Sequence, residues 1–148
     1  MRLPSRTLVL DAAVLIAAAR GRSSGAVLEV LRSAALVTTD RVVQEARRRV
    51  ELGLKRPDLL GVIDALLEDV TVVPVAALEP FLEDCEVVLR DAVSSRNGSI
   101  GDAHVMALAW STGADIWTSD RDFAGTGVAT WSTPNLMRGL AIAEAAGR

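Results

Sequence analysis

One cysteine, one histidine, no tyrosine and two phenylalanines occur among the 148 residues, and each shortage removes a class of answer. The lone Cys85 forms no internal disulfide, and without a Cys/His cluster there is no structural zinc site. A chain of this length buries a sizeable core without either staple, which points to a reducing, cytoplasmic setting. So few aromatic rings do not support a base-stacking platform for nucleic acid. Trp110 and Trp117 fall inside core-like elements where packing is the expected role, and Trp131 lies near the C-terminal end. A long hydrophobic run is missing too: the apolar stretch from Leu8 is interrupted by Asp11 and ends at Arg20, too short and too charged to span a membrane. An acid in its middle also argues against a signal peptide. Nor is there an excess of positive charge, since 16 Lys and Arg face 19 Asp and Glu, for a net charge of −3. The local exception is the segment from Asp40 to Asp58, where Arg41, Arg47, Arg48, Arg49, Lys55 and Arg56 outnumber four acids. A solvated helix face accounts for that surplus as well as a binding patch does.

What is present is an alternation. Short β-branched runs at Thr7–Leu10, Leu36–Thr38, Val70–Val73, Ala114–Thr118 and Val128–Trp131 read as strands. Between and after them, helical spacing covers Ala12–Arg20, Gly25–Ser33, Arg41–Leu52, Pro57–Glu68, Glu79–Val93, Asp102–Thr112 and Pro134–Ala145. Strands that alternate with helices predict an α/β fold with a parallel sheet covered on both faces. The longest irregular piece is Ser94–Gly101, and no repeat or linker divides the chain.

Ligands of open α/β sheets bind beyond the carboxyl ends of the strands, and acids stand there repeatedly. Asp11 follows the first strand in "TLVLDAAVLIAAA"; it can cap the next helix, and an ionised carboxylate in so apolar a run also needs a partner or a metal. Asp40 and Asp120 each lie two residues past a strand threonine. Glu45 sits at the flank of its helix, within reach of Arg49 one turn on, where a surface ion pair is the simple alternative. Asp102 heads a stripe with Val105, Met106 and Ala109, and Ser99 is placed to cap that helix in a Ser-x-x-Asp box. Asp120 and Asp122 are also ordinary turn residues, and Asp115 reads as a strand-end solvent contact. If Asp11, Glu45, Asp102 and Asp120 converge, their repulsion requires protons or a cation, and an all-oxygen set without Cys or His suits Mg²⁺ or Mn²⁺. Such a site suggests phosphodiester hydrolysis.

Four segments, "LVLDAAVLIAA", "VTTDRVVQEA", "GDAHVMALAWSTGADI" and "IWTSDRDF", resemble in order and spacing the PIN domain family, and more narrowly its VapC-type toxin ribonucleases. The resemblance implies that residues 1–148 form a single PIN-like domain, a three-layer α/β/α fold with a central parallel sheet of about five strands. It implies an acidic pocket for one or two Mg²⁺ or Mn²⁺ ions and metal-dependent cleavage of single-stranded RNA. Asp11 and Asp102 would be the principal ligands, Glu45 and Asp120 would complete the pocket, and Asp122 would stand in reserve. Thr118, which fits the family pattern, and Ser119 would support the site with hydroxyls. Arg47, Arg48 and Arg49 would contact either the RNA backbone or an antitoxin partner. A homodimer is the expected assembly. One departure is Ala13, where members often carry a hydroxyl or amide two positions after the first acid; its expected consequence is weakened or altered activity.

Two other readings stand beside this one. An aspartyl-phosphate hydrolase also begins with a strand-end acid, yet needs a second Asp where this chain has Ala13. A PIN-like binding or dimerisation module would use the same carboxylates only as caps and turns. His104, two residues past Asp102, is turned to another helix face and is not expected to bind metal, and Cys85 reads as a small buried hydrophobe.

Overall fold

The computed structural model describes residues 2–21, 24–91, 102–119, 123 and 125–148. Five strands, β1 (Thr7–Leu10), β2 (Ala35–Thr39), β3 (Val70–Val73), β4 (Asp115–Trp117) and β5 (Thr130–Trp131), form one sheet in the order β3-β2-β1-β4-β5. Every pairing is parallel, with Val9 opposite Val37 on one side and Ile116 on the other. The described helices are α1 (Ala12–Ala19), α2 (Ser24–Leu31), α3 (Asp40–Arg48), α4 (Leu59–Leu66), α5 (Glu79–Asp91), α6 (Ala103–Thr112) and α7 (Thr133–Ala145). The parallel sheet covered on both faces is what the alternation of strands and helices predicts, and the three-layer α/β/α architecture is the one the family resemblance implies.

Alternation along the central strands builds the layers. Leu8 and Leu10 point into a core with Val14, Leu15, Val27, Ile63 and Leu136, from α1, α2, α4 and α7. Val9 and Ile116 point the other way, onto Leu89, Val105, Met106 and Leu108 of α5 and α6. With both faces covered, β1 has almost no exposed side chain from Leu8 onward, which is why it reads as a continuous apolar run. The elements fall where the sequence places them, with ends moved by a few residues. Two differences are larger. The expected helix Arg41–Leu52 is regular only to Arg48 and continues as a π turn over Arg49–Gly53. In α6 every residue from Ala103 to Ala109 is buried, not one stripe, because the helix lies between α5 and the sheet. It stops at Gly113, whose positive φ of 68° suits a residue without a side chain.

The chain moves outward from β1 to β2 and β3, then crosses back to place β4 on the other side of β1. The order therefore reverses between β1 and β4, the kind of switch point beyond whose carboxyl ends open α/β sheets bind their ligands. Ser94–Gly101, the expected irregular piece, lies outside the described residues. Among the described residues no helix is long and apolar enough to cross a membrane.

Candidate active site

Asp11 is the first residue after β1 and Thr118 the first after β4, so both stand at the reversal point. Asp11 remains partly exposed. Its Oδ2 accepts a hydrogen bond from Thr118 Oγ1 at 2.7 Å, and its Oδ1 accepts from the Ala12 N–H at 2.7 Å. The cap reading of Asp11 holds, with Oδ1 closing the start of α1, while the Thr118 hydroxyl fixes the other carboxylate oxygen. Thr118 is 2% exposed, and the Asp11 N–H donates to Trp117 O at 3.2 Å, so the pair is held by backbone as well as side chain. Ser119, the other expected hydroxyl, is exposed.

Asp102 precedes α6 and is partly exposed, in the position of the helix N-cap. The first turn of α6 is tied to the carboxyl edge of the sheet by His104, whose Nδ1 shares a 2.8 Å hydrogen bond with Thr39 Oγ1 at the end of β2. Thr39 also caps α3, its Oγ1 accepting from the Val42 N–H at 3.0 Å. Its neighbour Thr38 donates to Leu10 O at 2.7 Å, one residue before Asp11. Asp11 and Asp102 thus belong to one edge of the sheet. Burial, aided by the nearby Arg41 and opposed by Asp40, pushes the His104 imidazole down to about 4. The ring is therefore neutral near pH 7 and fits a buried hydrogen bond. Neither Thr39 nor His104 stands out as functional in the sequence; the available signal is one histidine in an otherwise apolar helical run and two threonines closing a strand.

The remaining candidates divide. Glu45 is on the outer side of α3, half exposed, 3.9 Å from Arg49 in the i,i+4 pair that was its simple alternative. Among the described residues, no group of three or more His, Cys, Asp or Glu side chains is arranged to hold a metal ion, so Asp11, Glu45 and Asp102 do not by themselves form such a cluster. Asp120 and Asp122 lie outside the described residues, as does the Ser99 of the expected capping box. Asp40, another strand-end acid, is turned away to accept the Val75 N–H at 2.9 Å. Arg47 pairs with Asp64 of α4, and Arg49 lines a cleft of about 280 Å³ with Ile16, Arg20, Gly53 and Leu54. Arg48 is exposed.

Two expectations are corrected. Asp115 is not a solvent contact: it is 2% exposed and accepts from Arg2 Nη2 at 2.7 Å, the Ser5 N–H at 3.0 Å and Trp131 Nε1 at 2.8 Å. It begins β4, at the opposite edge from Asp11, and its donors come from sequence-distant segments that local pattern does not connect. Trp110 is not a core residue; it is 38% exposed near the end of α6, whereas Trp117 is fully buried as expected.

The donor chemistry fits a hard divalent cation. Asp11 offers oxygen at the reversal point and Asp102 at the head of α6 on the same edge of the sheet, and Mg²⁺ is commonly held by one or two carboxylates with waters completing its shell.

The fold has solved counterparts. VapBC2 from Rickettsia felis, in a structure bound to a DNA fragment from its promoter, aligns with 11% identity and a TM-score of 0.70, covering 85% of this chain and 98% of that one. VapC20 from Mycobacterium tuberculosis, described as a Sarcin-Ricin loop cleaving toxin, aligns with 20% identity and a TM-score of 0.59, covering 82% and 96%. A toxin-antitoxin complex from Klebsiella pneumoniae aligns with 18% identity and a TM-score of 0.59, covering 85% and 97%. At such identities the likeness is one of fold. No curated protein matches the chain in sequence. The family model of the PIN domain, however, matches residues 9–141. Reaching from β1 to α7, that match takes in the strand ends where Asp11 and Thr118 meet and the helix headed by Asp102, and the chain belongs to the PIN domain family.

Proposed function

We propose that this protein is a Mg²⁺- or Mn²⁺-dependent endoribonuclease that cleaves single-stranded RNA and acts as the toxin of a toxin-antitoxin pair. The observation that supports it most is the Asp11 carboxylate, oriented by Thr118 and the Ala12 N–H at the switch point of a PIN-domain sheet. Asp11 and Asp102 are the principal ligands in this reading, with Glu45, Asp120 and Asp122 completing the acidic pocket directly or through waters. A cation held by these carboxylates would supply an acidified water and positive charge for the scissile phosphate. The chain's part is to hold the carboxylates apart from one another at fixed positions, to orient Asp11 through Thr118, and to present Arg47, Arg48 and Arg49 to an anionic backbone or to an antitoxin. The toxin role draws on structural counterparts that are themselves toxins or toxin-antitoxin complexes. A homodimer in the cytoplasm belongs to the same reading.

The test is cleavage of single-stranded RNA by the purified protein with Mn²⁺, with EDTA, and by the Asp11→Asn and Asp102→Asn variants. The expected result is cleavage lost in EDTA and reduced at least about a hundredfold in each variant; cleavage surviving all three overturns the reading. A second reading, a PIN-like binding or dimerisation module, is favoured by the lack of a three-carboxylate cluster among the described residues. Thermal stabilisation separates the two, because a cation bound only by the native state raises the melting temperature and a module without a metal site shows no rise at millimolar Mn²⁺.

A further inference from the structure

We propose that His104 is a positioning residue of the metal centre, acting through its hydrogen bond to Thr39 to set where Asp102 stands relative to Asp11. The inference rests on the reading of Asp11 and Asp102 as metal ligands.

His104 is the one polar side chain in the fully buried run Ala103–Ala109, and it is 3% exposed. A buried polar ring is unfavourable unless it is hydrogen-bonded, and an apolar side chain of similar volume would fill the same space without that requirement. Nδ1 finds its partner in another element, Thr39 Oγ1 at 2.8 Å. Thr39 is itself fully buried and has a second attachment, since its Oγ1 accepts the Val42 N–H at the start of α3. One hydroxyl therefore joins the first turn of α6, which follows Asp102, to the first turn of α3, which leads to Glu45.

The neighbouring threonine completes the connection. Thr38, also fully buried, donates to Leu10 O at 2.7 Å, immediately before Asp11. The path from Asp102 to Asp11 thus runs through His104, Thr39, Thr38 and Leu10, with a directional hydrogen bond at each crossing between elements. Apolar packing alone would allow α6 to slide or rotate slightly along its axis, because dispersion contacts have little directional preference. Ligands of a small cation must be held within about half an ångström of their productive geometry, and a buried hydrogen bond at the second residue past Asp102 supplies that constraint. Groups that orient ligands in this way typically change metal affinity or activity about 10–100-fold when removed.

The experiment compares the full-length protein with His104→Leu, which deletes the polar atom and keeps the volume, and with His104→Asn and His104→Gln. The Asn amide reaches the position of Nδ1; the Gln amide reaches that of Nε2. Each protein is titrated with MnCl₂ alone, followed by melting temperature, and then assayed for kcat and KM on a single-stranded RNA. The expected result for His104→Leu is a Mn²⁺ half-saturation concentration raised about tenfold or more and a kcat lowered to match, with KM within about twofold. His104→Asn is expected to regain most of both and His104→Gln little of either. Should His104→Leu not fold, the Asn and Gln variants alone decide. Wild-type Mn²⁺ affinity in a folded His104→Leu protein, or equal losses in Asn and Gln, overturns the positioning role while leaving the metal centre standing. A wild-type protein that neither gains stability from Mn²⁺ nor cleaves RNA overturns the metal-centre reading itself, and the positioning role falls with it.

Discussion

Two aspartates mark the opposite ends of the same pair of strands, and their surroundings differ in kind. β1 and β4 are adjacent and parallel, with Leu8 opposite Asp115 and Leu10 opposite Trp117. Asp115, at the amino edge, is closed over by Arg2, Ser5 and Trp131 and is almost inaccessible. Asp11, at the carboxyl edge, is partly exposed and oriented by the Thr118 hydroxyl and the Ala12 N–H. The first arrangement fastens the N-terminal segment to β4 and β5. The second orients a partly exposed carboxylate where the strand order reverses. Burial with three donors thus goes with architecture, whereas oriented partial exposure at the switch point leaves the Asp11 carboxylate open to solvent.

Removing each carboxylate in turn separates the two roles. Asp115→Ala leaves the part-buried Trp131 Nε1 and Ser5 N–H donors without their acceptor, and a loss of about 2 kcal/mol in unfolding free energy is expected. Arg2 adds little to that figure, since its side chain is 67% exposed and returns to water. Whatever fraction stays folded is expected to keep its Mn²⁺ response. Asp11→Asn is expected to do the reverse, with stability within about 1 kcal/mol of wild type and the Mn²⁺ response gone. Urea unfolding with and without MnCl₂ reads both, and a Mn²⁺ response lost in Asp115→Ala but retained in Asp11→Asn would invert the assignment.

The contrast also explains what was legible in the sequence. β1 and β3 appear at the ends their β-branched runs suggest, and the acids after strand ends are visible because strand and helix patterns are local. Asp11 as cap and candidate ligand follows from such a pattern. Asp115 does not, because Arg2, Ser5 and Trp131 meet it only through the parallel register of β1, β4 and β5. The same holds for His104 and Thr39, 65 residues apart. The π turn after Arg48 is likewise invisible to a 3.6-residue spacing, since the apolar positions Val42, Ala46 and Val50 continue through it. Local periodicity reports elements, and the partners of buried polar groups are decided by topology.

A smaller perturbation tests whether the amino edge is as rigid as its hydrogen bonds imply. Gly139, in α7, lies so close to the N-terminal segment that an added Cβ would sit 2.8 Å from Pro4 Cγ, 2.9 Å from Pro4 Cδ and 3.2 Å from the Trp131 ring. Pro4 precedes Ser5, whose N–H reaches Asp115, so Gly139→Ala pushes on that anchor. The expected cost is about 1–3 kcal/mol, as for overpacking elsewhere, again with the Mn²⁺ response unchanged. A melting temperature equal to wild type would show that residues 2–5 shift freely and that the Asp115 cluster is looser than its contacts suggest.

The smallest expected effect links a buried thiol to the carboxyl edge. Cys85 is fully buried on α5, in the layer that packs with α6, and burial together with Asp84 pushes its thiol up to about 11. An unfolded thiol ionises near its usual 9.0. As pH rises through that value the unfolded state releases a proton that the native state keeps, so the native state loses stability between about pH 9 and 11 and is unaffected by this group below pH 9. At pH 8, alkylation of Cys85 therefore requires the α5–α6 layer to open, and its rate follows the population of the open state. A cation bound only when Asp102 is in place stabilises the closed layer, so millimolar Mn²⁺ is expected to slow iodoacetamide labelling severalfold in the wild type and not in Asp11→Asn. Equal slowing in both proteins would detach Mn²⁺ from the Asp11 edge; no slowing in the wild type, with the melting temperature still raised, would mean that α5 opens without disturbing Asp102.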